Sequence, residues 1–69
     1  MSNFKIVDPR GQVHYDNVGT EDRAMWAASI CLERFRCGVM HIEEYIDGML
    51  FATTTIARNR DSYEPYIVQ

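Results

Sequence analysis

Four side chains of this 69-residue chain carry ligand or nucleophile chemistry: His14, Cys31, Cys37 and His41. Two thiols and two imidazoles are a donor set that zinc accepts, but paired thiolate ligands normally stand two to four residues apart, and these cysteines are six positions apart. The spacing favours two reduced thiols, with Cys31 packed as a small apolar residue. His41 lies two residues before Glu43, which puts both on one face of a strand. That arrangement reads more simply as a solvated cross-strand pair than as an acid/base dyad. Nowhere does a nucleophile stand beside a positioned base, nor do two carboxylates face an implied cleft. The expectation is a non-enzymatic protein without metal or cofactor.

The remaining residue types with a strong chemical preference are those of binding surfaces. Trp26 is the single tryptophan, and Arg23, Ile30 and Arg34 fall near it at helical spacing. Further on, Tyr63 and Tyr66 lie in a segment that is charged first and aromatic afterwards. Tryptophan, tyrosine and arginine are the types that anchor protein interfaces. These six residues form the candidate partner-binding set. Two other readings stay open for Trp26: the C-terminal tail folds over it, or a second copy of the chain covers it.

The elements that must position these groups follow from periodicity. Phe4 and Ile6 alternate with Lys5 and Val7, and Val13 and Tyr15 alternate with His14 and Asp16, which is the period of two of a strand. Asp8-Pro9-Arg10-Gly11 between them has the residue order of a β-turn, so a hairpin is expected over 3–17. Thr20 can cap a helix whose first turn carries Glu21 and Asp22, and Gly38 stops it after about Arg36. At about 100° per residue, Ala24, Ala27, Ala28, Cys31, Leu32 and Phe35 share one face, and Trp26 projects nearly opposite. From Val39 the period returns to two, and Asp47-Gly48 predicts a type I′ hairpin. An unbroken register would pair Ile46 with Met49, Glu44 with Phe51, Ile42 with Thr53 and His41 with Thr54. Met49 and Phe51 would then join Met40 and Ile42 on the face toward the helix, leaving Val39, His41, Glu43, Tyr45, Leu50, Thr54 and Ile56 on the other.

Composition bounds what such a domain can do. A chain of 69 residues, 46% hydrophobic, makes one small domain that buries only about 60% of the surface its unfolded form exposes, too little to support a deep catalytic cleft. Ten acidic against seven basic residues leave a net charge of −3, with the arginines scattered. No basic stripe marks a direct nucleic-acid binder, and the acids cluster too modestly for a DNA mimic. The longest uncharged runs are far short of the roughly 20 apolar residues of a membrane span. The opening Met-Ser-Asn-Phe-Lys lacks the pattern of a secretory leader, so the expected location is the cytoplasm.

The helix-to-hairpin junction resembles a known family. Phe35, Gly38, Val39, Met40, Ile42, Glu43 and Gly48 are similar to the pattern F-x-G-x-V-M-x-I-E, followed by a short glycine-bearing turn, of a small type I-F anti-CRISPR family among phage-encoded host-takeover proteins. The match needs one-residue adjustments around Gly38 and before Gly48 and covers under half the chain. The resemblance implies a protein that binds the crRNA-guided surveillance complex and hinders target DNA from entering it. His41 stands where the family pattern carries an arginine, so no family binding residue carries over. A second, equally loose resemblance is to a short phage inhibitor of bacterial RNA polymerase.

The sequence therefore predicts an α+β domain over 1–57, an antiparallel sheet of about four strands in ββαββ order with one helix on one face. Residues 58–69 follow as a tail, an edge strand or an extended arm, Pro65 excluding a central strand. The expected role is inhibition of a bacterial host complex by occupying its surface. A homodimeric structural or regulatory protein, built through Trp26, Ile30 and the tail tyrosines, is the alternative.

Overall fold

The computed structural model describes residues 2–35, 38–58 and 65–68. In chain order these form β1 (Ser2–Val7), β2 (Val13–Val18), α1 (Glu21–Phe35), β3 (Val39–Ile46), β4 (Met49–Arg58) and β5 (Pro65–Val68). All neighbouring strands pair antiparallel, in the order β2-β1-β3-β4-β5, and α1 crosses one face of the sheet. The α+β class with one helix on an antiparallel sheet is as the sequence predicts. The sheet has five strands rather than about four, because Pro65–Val68 pairs along β4 with Ile67 opposite Ile56 and Tyr66 opposite Ala57. Pro65 begins this edge strand, the position where a missing N–H costs no central ladder bond.

Both predicted turns form. The Gly11 N–H donates to the Asp8 carbonyl at 2.9 Å, closing the first turn, and Gly11 has φ +90. Asp47 and Gly48 have φ +51 and +81, the pair of positive values that a type I′ turn requires. Thr20 caps α1: its Oγ1 accepts the Arg23 N–H at 3.2 Å and its carbonyl accepts the Ala24 N–H at 3.0 Å. The helix spans Glu21–Phe35, and Arg36, the expected last residue, lies outside the described residues.

The core lies between α1 and the face of the sheet that carries Phe4, Ile6, Met40, Ile42 and Ile56. Ala24, Ala27, Ala28, Cys31 and Leu32 meet that face as the helical periodicity requires. Three alanines keep α1 close to the sheet, so the long side chains come from the strands. Phe35 departs from the predicted seam. It is 49% exposed and stacks its ring on His14, with centroids 4.5 Å apart. At the last helical position it lies against His14 of β2 instead of entering the core.

The register of the second hairpin also departs from expectation. Ile46 faces Met49 and Tyr45 faces Leu50, but a bulge at Phe51 then puts Glu44 opposite Ala52, Ile42 opposite Thr54 and His41 opposite Thr55. Strand side chains alternate faces, so one inserted residue exchanges the faces of everything beyond it. Ile56 thereby lies opposite Met40 in the core, where an unbroken register would have turned it to the open face. Thr54 goes to the helix side with it. Met49 and Phe51, expected in the apolar face toward the helix, are exposed. The irregular β1–β2 ladder has a similar effect: Val7 pairs Val13 and Ile6 pairs Tyr15, so Val13 and Tyr15 lie on opposite faces despite their alternating spacing.

Candidate functional site

Beside β2 and the start of α1 runs a groove of about 530 Å³. The chain enters it through Asn17, whose φ of +54 accompanies the break in the β1–β2 register, and the Asp16 carboxylate fixes that bend by accepting the Asn17 N–H at 2.7 Å. The bend carries Val18 and Gly19 across to Thr20 and the helix. Its lining combines apolar Val18 and Ala27 with the rings of Tyr15 and Trp26, and Asp16 and Arg23 add one charge of each sign. Trp26 is 65% exposed, as its position opposite the core seam requires. Gly19 contributes open space: a Cβ there would meet no atom within 4 Å.

Of the six predicted partner-binding residues, the structure brings Trp26 and Arg23 together in this groove. Ile30, one turn along α1, is half-buried, and Arg34 is exposed near the far end of the helix. Tyr66 lies on β5 at the opposite edge of the sheet from β2, so the described tail segment does not fold over Trp26. Tyr63 lies outside the described residues. Tyr15 was not singled out from the sequence; it lies opposite Ile6 on the helix side, but on an edge strand where its ring stays partly exposed.

The groups considered for metal or acid/base chemistry are dispersed. Cys31 is buried between helix and sheet. His41 lies on the open face of the sheet, where its Nδ1 is 2.8 Å from Thr55 Oγ1. His14 Nε2 lies 2.9 Å from the Asp8 carboxylate at the first turn. Cys37 lies outside the described residues, and among the described residues no cluster of three metal-ligating side chains forms.

Asp8 is the one buried charged side chain among the described residues. Its Oδ1 accepts the N–H groups of Arg10 and Gln12, each at 2.9 Å, and its Oδ2 faces His14. The His14 hydrogen bond and the two backbone donors hold its carboxyl below the usual carboxylate range, against the opposing effect of burial. This carboxylate organises a turn, since the groups that could direct it toward a substrate are already bonded to it. On the open face, the Tyr45 hydroxyl donates to Glu43 Oε1 at 2.9 Å, with Lys5 Nζ 5.0 Å from the ring centre. The hydrogen bond to Glu43, reinforced by burial, raises the phenol above its ordinary value.

A second exposed feature lies at the hairpin tip. Met49, Leu50 and Phe51 are 75%, 54% and 68% exposed, a run of three large apolar side chains in water. Soluble domains rarely leave such a run uncovered without a use for it. No described helix is long and apolar enough to cross a membrane. Comparison of the chain with protein-family models, with curated proteins and with solved structures returns no match.

Proposed function

We propose that the protein is a non-enzymatic binding module that inhibits a bacterial host complex by occupying its surface, with the groove at Trp26 as its principal contact. The observation that carries this reading is Trp26 itself: a 65% exposed tryptophan above a groove that Tyr15 also lines. Such an arrangement offers a large, rigid anchor whose burial by a partner removes much apolar surface from water. Arg23 adds a charged donor at the margin. The dispersal of His14, Cys31 and His41 supports binding over chemistry. The type I-F anti-CRISPR resemblance at Phe35 to Glu43 nominates the target, a crRNA-guided surveillance complex in the cytoplasm of a bacterial cell. The protein would engage it without a cofactor and without direct contact to nucleic acid.

The test is titration of the immobilised protein with purified type I-F surveillance complex, beside bacterial RNA polymerase as the alternative target. Binding that weakens at least about 30-fold in Trp26→Ala, the loss of a hot-spot side chain, supports the reading. Binding to the polymerase alone would transfer the proposal to that enzyme. Failure to bind either would sink the inhibitor reading.

A further inference from the structure

We draw no further inference here: the strongest candidate, the groove between β2 and the start of α1 that Tyr15 and Trp26 line, belongs to the site already described, and nothing in the structure shows what covers it.

Discussion

Asp8 shows how one side chain secures a local structure here. Two backbone N–H groups and His14 bond its carboxylate, and because these partners favour the ionised form, the folded pKa lies below that of a free aspartate, about 3.9. Stability from this group is present above the unfolded value and is lost as pH falls through the depressed folded value. Urea unfolding should therefore find the wild type more stable than Asp8→Asn at pH 6, with the difference shrinking steadily below about pH 4. A pH-independent difference would show that shape, not charge, is what Asp8 contributes. Trp26 is the opposite case, a large residue that the fold does not use. Trp26→Ala should change stability by no more than about 0.5 kcal/mol, the range of exposed positions, measured by thermal melting. By contrast, Ile6 is fully buried, and Ile6→Ala should cost about 2–5 kcal/mol.

At the scale of elements, the second hairpin depends on its turn and on its bulge. Gly48 has open space around its missing Cβ, so only backbone strain opposes a side chain there. With φ at +81, Gly48→Val should cost about 1–3 kcal/mol in chemical denaturation, and a neutral result would mean that the turn is not of the type I′ form. Phe51 is the inserted residue of the bulge, and deleting it restores an even count while keeping Glu44 opposite Ala52 and Met40 opposite Ile56. The deletion should leave stability within about 1 kcal/mol. An extra residue inserted after Thr54 should do the reverse, turning Ile56 out of the core at a cost of about 2 kcal/mol or more. Paired denaturation curves of the two variants distinguish a designed bulge from an incidental one.

Over the whole molecule, stability should grade from the centre of the sheet outward. β1 and β3 are interior strands that share the face packed against α1, whereas β5 is an edge strand of four exposed residues. Native-state hydrogen exchange should find the slowest amides at Ile6, Met40 and Ile42 and much faster ones at Tyr66 and Ile67. Uniform protection across all five strands would contradict this gradient. The same layout separates tasks. One end of the sheet presents the groove and the tip, and the far edge is closed by β5, so substitutions at Tyr66 should leave contacts made through Trp26 unchanged.

Much of this architecture was legible in the sequence because its signals are local. The Asp-Pro-Arg-Gly and Asp-Gly turns, the Thr20 cap and the alanine-rich seam of α1 each act within a few residues, where backbone conformation and helical period decide the outcome. The opposite-face position of Trp26 follows from the same period. What the sequence alone could not determine was register. Whether Ile56 or Thr55 faces Met40 depends on the packing of β4 against β3 and α1 together, and a one-residue bulge, invisible in the pattern, reverses the answer. The same tertiary choice left Met49, Leu50 and Phe51 in water, paired Tyr15 rather than Val13 with the helix side, and took the tail to the edge farthest from Trp26. Local sequence determined which elements form; competition for one small core decided which of their residues remain available for binding.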